Sequence, residues 1–129
     1  MKLKLTIIDL NGIYLEDEVD LINLTISSGN VTILANHLPL ISNIEISHLY
    51  TKKDGVITNY AIAGGVLFVS DEGCKIITQA IENENEVDFT RAQLAKDRAE
   101  ERITSNDSNI DIKRAEIALK KAINRLNLR

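Results

Sequence analysis

The apolar residues of this chain change their period at Asp88, and that change limits the fold more than any other feature. Before it, apolar side chains come in short runs that largely alternate, the pattern of half-buried strands. After it, they recur every three or four residues, the pattern of an amphipathic helix. Two periods in 129 residues predict two units, a strand-built one over residues 1–84 and a helix-built one over residues 85–129.

The first unit reads as an all-β sandwich of two packed sheets. Candidate strands cover residues 3–9, 13–16, 19–26, 31–34, 44–52, 56–63, 66–69 and 74–78. Between them stand the turn signals Asn11-Gly12, Ser27-Ser28-Gly29-Asn30, Lys53-Asp54-Gly55 and Asp71-Glu72-Gly73. Asn11-Gly12 predicts a hairpin with both residues at positive φ. Pro39 is expected in a loop. Gly64-Gly65, between two apolar runs, predicts a bulge or a close backbone approach.

The second unit reads as an antiparallel helical hairpin. Asp88 is the expected N-cap of a helix over residues 89–104; residues 105–109 link it to a second helix that starts near Asp111 and ends near Leu126. Ala92, Ala95, Ala99 and Ile103 form one stripe; Ala115, Ala118, Ala122 and Leu126 form the other, widened by Leu119 and Ile123. Alanine faces let helix axes approach closely but bury little area, so the hairpin is expected to be marginal alone and easily moved.

Charge follows the same division. Residues 1–84 hold five lysines, no arginine and eleven acids, a net −6; residues 85–129 hold ten basic and eight acidic residues, a net +2. All six arginines lie in the second unit. The total of −4 argues against nucleic-acid binding, which needs a basic face. Arg91, Arg98 and Arg102 on one helix, with Lys121 and Arg125 on the other, suit either a solvated face or an anionic ligand between the helices.

Other motifs are sparse. The two histidines, His37 and His48, lack metal-helix spacing, and one cysteine, Cys74, reads as a buried thiol. Glu16, Asp17, Glu18 and Asp20 read as a solvated loop, and no metal site is expected. The chain has no nucleotide-hydrolase loop and no nucleophile elbow, which argues against an enzyme. The N-terminus lacks a signal-peptide core, and the most apolar stretch, residues 61–69, is too short to span a bilayer, so no membrane insertion is expected.

Four blocks carry a resemblance. They are Asn36-His37-Leu38-Pro39-Leu40-Ile41, Ala63-Gly64-Gly65-Val66-Leu67-Phe68-Val69, Val87-Asp88-Phe89-Thr90-Arg91-Ala92, and Ala118-Leu119-Lys120-Lys121-Ala122-Ile123-Asn124-Arg125-Leu126. In this order and over the whole chain they resemble the ε subunits of bacterial F-type ATP synthases. The resemblance implies a non-catalytic rotor subunit whose sandwich joins the γ subunit to the c-ring. It further implies a helix pair that is compact against the sandwich or extended toward the α and β subunits, where it inhibits ATP hydrolysis. It places the protein on the cytoplasmic face of the bacterial plasma membrane, requires no cofactor, and allows regulatory ATP on the compact helices. The matching ATP positions are Glu82, Asp88, Arg91, Ala92, Arg98 and Arg125, with Lys121 where ATP-binding members carry arginine and Val87 where the motif has Ile or Leu. Lysine lacks the planar fork, so binding is expected near millimolar, about −4 kcal/mol. Asn30 and His37 occupy the positions implied for the contact with the ring. The competing reading is a free-standing ATP-responsive sensor built on the same helix pair.

Overall fold

The computed structural model describes residues 1–105 and 107–128. Asn106, expected in the link between the helices, and Arg129, one of the six arginines, lie outside the described residues. Eight strands come first: β1 (Leu3–Asp9), β2 (Gly12–Val19), β3 (Leu21–Ile26), β4 (Gly29–Leu34), β5 (Leu40–Lys53), β6 (Val56–Ser70), β7 (Gly73–Ile77) and β8 (Ile81–Asn83). Two helices follow, α1 (Phe89–Thr104) and α2 (Ile112–Leu126).

The sandwich is present, but its layers are not separate sheets. One hydrogen-bonded ladder runs β2-β1-β7-β6-β5-β3-β4, with β8 on β6. The two long strands make this possible. Residues 66–70 of β6 pair with β7, while residues 60–62 pair with β8, and β5 runs beside both halves. Leu5 and Ile7 of β1, Ile22 and Leu24 of β3, Ile33 of β4, Leu49 of β5, Ile62 and Leu67 of β6 and Ile76 of β7 meet in one core without solvent exposure. Alternation puts Leu5 with Ile7, and Ile22 with Leu24, on one face of their strands, whereas in β6 the buried face changes parity across Gly64-Gly65, so that both Ile62 and Leu67 reach the core; this burial supplies the main drive to fold.

Several local expectations change. Strand β5 begins at Leu40, not at Ile44, and β6 runs unbroken through Gly64-Gly65. Both glycines have positive φ, 83° and 145°, so the strand bends there without ending. Of Asn11-Gly12, only Gly12 has positive φ; Asp9 pairs with Gly12, which leaves Leu10 and Asn11 at the turn. The turn with two positive φ values is Asp54-Gly55, at 51° and 83°.

The helices begin where capping chemistry places them. Asp88 accepts a hydrogen bond from Arg91 N at 3.0 Å, and Asp111 accepts one from Arg114 N at 3.1 Å. Each satisfies an otherwise unpaired first-turn N–H. Ala92, Ala99, Ala115 and Ala122 are buried and form the seam. Ala95 is half-buried, whereas Ala118 is exposed. At 100° per residue, positions 115, 119, 122 and 126 share a face and position 118 falls to its edge. Leu119 and Leu126 therefore take the half-buried positions.

Cys74 is buried in the core. Loss of water pushes its thiol up to about 12, which keeps it protonated and inert at neutral pH. Asp17 is paired with Lys53 at 2.7 Å and Asp20 with Lys2 at 2.6 Å, so these acids are held in surface ion pairs. No cluster among the described residues has the make-up of a metal site.

Candidate functional site

The helix pair lies against the sandwich, and α2 makes the contact, on β5 and β6. Beneath its last two turns is a groove of about 440 Å³. Ile46, Ala61, Ala63 and Ile81 contribute apolar surface; Asp9, Asn11, Gln79, Glu82, Lys121, Asn124 and Arg125 contribute polar groups. Lys121, Asn124 and Arg125 share one face because they are spaced three and four residues apart on a helix.

Three contacts close the end of this groove. The Arg125 guanidinium donates to the Glu82 carboxylate of β8. The Asn124 amide nitrogen donates to Ser47 O at 2.7 Å and to Ile62 O at 3.2 Å. Leu128, just past α2, is buried with Ala61 of β6 and Val87 of the linker, and Phe89 packs against them. The linker is also tied down. The Tyr14 hydroxyl of β2 donates to the Glu86 carboxylate, which accepts from Asn83 N at 3.0 Å as well. Partial burial raises the Tyr14 pKa, with the Glu86 hydrogen bond adding to it.

Of the seven residues implied for ATP, the structure gathers Glu82, Lys121 and Arg125 into the groove. Asp88 caps α1, and Ala92 is fully buried in the seam. Arg91 and Arg98 are exposed and lie outside the groove lining; neither makes an ion pair among the described residues. Arg98 instead lines a shallow cleft with Arg102 and Ile110 near the far end of the hairpin. Asn30 and His37 are not clustered. Asn30, at the start of β4, exchanges hydrogen bonds with Asn23 at 2.8 and 3.0 Å; His37, in the loop after β4, turns its Nδ1 to Leu38 O at 2.7 Å.

A second surface faces away from the core. Cross-strand register aligns Ile13 of β2, Ile8 of β1, Ile77 of β7 and Val66 of β6, with Phe68 of β6 beside Ile41 of β5. Ile13, Ile41, Phe68 and Ile77 are exposed at 64%, 72%, 36% and 44%. Such a contiguous apolar ribbon on a sheet face marks an interaction surface.

Two family models match adjoining parts of the chain. Residues 2–84 match the ATP synthase delta/epsilon chain β-sandwich domain, and residues 85–128 match the long α-helix domain of the same chain. The chain belongs to the ATP synthase delta/epsilon family. It is 37% identical to the ATP synthase epsilon chain of Caldicellulosiruptor bescii, over 97% of this chain and 91% of that one. It is 39% identical to the ATP synthase epsilon chain of Mycoplasmopsis pulmonis, over 99% and 93%. In fold it is similar to a chain of the Euglena gracilis mitochondrial ATP synthase, at 24% identity and a TM-score of 0.83, over 98% of this chain and 79% of that one. No helix among the described residues is long and apolar enough to cross a membrane.

Within this delta/epsilon chain, two contacts that position the helices and the linker have no local sequence signature. In the sequence Asn124 is marked only by its place on the Lys121–Arg125 face of the second helix. The Tyr14–Glu86 contact joins residues 72 apart and leaves no local pattern.

Proposed function

We propose that this chain is the non-catalytic central-stalk subunit of an F-type ATP synthase. Its sandwich binds the γ subunit and stands on the c-ring, and its helix pair regulates ATP hydrolysis. The observation that carries this reading is the apolar ribbon from Ile13 to Val66, with Phe68 and Ile41, much of it exposed to solvent. A sheet face of this kind suits a permanent protein partner whose own apolar surface covers it. Asn30 and His37 supply polar contacts to the ring. The subunit is peripheral, held on the cytoplasmic face of the membrane by its partners. The arrangement seen is the compact one; the extended one places the basic helices against γ and the α and β subunits, where they block hydrolysis.

Phe68→Asp with Ile77→Asp tests the docking face. Each buries an unpaired charge on association, at a cost of several kcal/mol. Co-purification with γ is expected to fall at least about a hundredfold while circular dichroism is unchanged. Undiminished co-purification contradicts the reading, and a wild-type chain that never binds γ supports the free-standing sensor.

The groove is proposed to take ATP as a regulatory ligand of the compact arrangement. Lys121 and Arg125 face it with positive charge, and Glu82 competes with phosphate for Arg125. Titration with ATP in the absence of magnesium is expected to shift the amide resonances of residues 120–126, half-saturating near about 1 mM. No shift at several times that concentration removes the proposal.

A further inference from the structure

We infer that Asn124 is the latch that holds the helix pair in its compact arrangement; the inference deepens, and rests on, the regulatory reading above. The last turn of α2 meets the sandwich through three different kinds of contact. Leu128 supplies burial against Ala61 and Val87, which is insensitive to direction. Arg125 supplies a partly exposed ion pair with Glu82, which is weakened by salt. Among the described residues, Asn124 supplies the side-chain hydrogen bonds from this turn to main-chain carbonyls, Ser47 O at 2.7 Å and Ile62 O at 3.2 Å.

The chemistry of this contact is specific to a primary amide. Ser47 and Ile62 are register partners on β5 and β6, so their carbonyls belong to two strands held at a fixed spacing. One nitrogen carrying two hydrogens serves both. Aspartate in its place offers only acceptors and a charge, facing two carbonyl acceptors. Leucine keeps the volume and loses both bonds.

Because the two carbonyls are fixed by the ladder, the amide sets the rotation and height of α2 on the sheet. That setting faces Arg125 toward Glu82 and Lys121 toward the groove. The α1–α2 seam is independent of it, since Ala92, Ala99, Ala115 and Ala122 lie between the helices. Opening the latch therefore releases the hairpin as a unit and leaves the sandwich core intact.

The test is amide hydrogen exchange on the isolated full-length chain, comparing wild type with Asn124→Asp and Asn124→Leu. Two hydrogen bonds of ordinary net strength correspond to about a tenfold to hundredfold change in the released population. The released hairpin, marginal on its alanine seam alone, frays, so exchange in residues 89–104 and 112–128 is expected to rise by that factor in both variants, with exchange in β1, β5 and β7 unchanged. In the wild type the Asn124 side-chain amide protons are expected to exchange more slowly than those of Gln93, whose amide lies on the surface. Unchanged helix exchange in both variants overturns the inference, as does a rise that extends equally to the sandwich core. The measurement uses neither γ nor the catalytic subunits. A helix pair that proves not to regulate hydrolysis would sink the regulatory reading and leave these exchange rates as they are.

Discussion

Gly65→Ala should be the most damaging single-methyl substitution in the molecule. A Cβ at this position would stand 2.2 Å from Ile77 O and 3.2 Å from Thr78 Cα, both main chain of the neighbouring segment. The residue also has φ of 145°, which side-chain-bearing residues rarely adopt. Relief requires β6 and the end of β7 to separate. This is where Thr78, buried, donates its hydroxyl to Gly64 O at 2.5 Å. Overpacking against main chain together with backbone strain costs about 3 kcal/mol or more. A fall in Tm of more than about 10 °C is expected in a thermal melt. Gly29→Ala is the control. It shares a positive φ, 128°, but its Cβ meets nothing within 4 Å. Its loss should stay near about 1 kcal/mol. Equal losses for the two would show that conformation, not the close approach, makes Gly65 necessary. The same strand lines the groove through Ala61 and Ala63.

The parts of the fold that were legible in the sequence are those written in local chemistry. Asp88 and Asp111 announce the helices because a carboxylate pairs with N–H groups three residues on. Asp54-Gly55 announces its hairpin because both residues tolerate positive φ. The parallel pairing of β1 with β7 was not legible, since it joins segments some 69 residues apart, as in Leu5 with Cys74. Strand β8 escaped because Ile81-Glu82-Asn83 is too short to show a period. The site was legible as charges, not as a place. Glu82, Lys121 and Arg125 were recognisable singly, but only the docking of α2 on β6 and β8 brings them together. Arg91 and Arg98 carry the same kind of charge and point elsewhere in the compact arrangement, a difference that no composition records.

The largest effect on activity is expected from removing the helix pair. Its attachment rests on the Asn124 bonds, one ion pair and a small apolar cluster. Its internal seam is alanine, which buries little area per residue. The proposed regulation needs an element held this lightly, since a partner that favours the extended arrangement then draws it off the sheet. Residues 1–86 keep every described strand and the Tyr14–Glu86 tie, so the sandwich surfaces remain while the proposed regulator is gone. On the proposed reading, the full chain in its extended arrangement holds a fraction of the complexes inactive. Relief of that fraction raises hydrolysis in proportion to its population, about twofold or more where the two arrangements are near balance.

The most direct measurement is therefore the ATP hydrolysis rate of the reconstituted catalytic complex, at equal occupancy of the full-length chain and of residues 1–86. A higher rate with residues 1–86 is the predicted result; equal rates would contradict a regulatory helix pair.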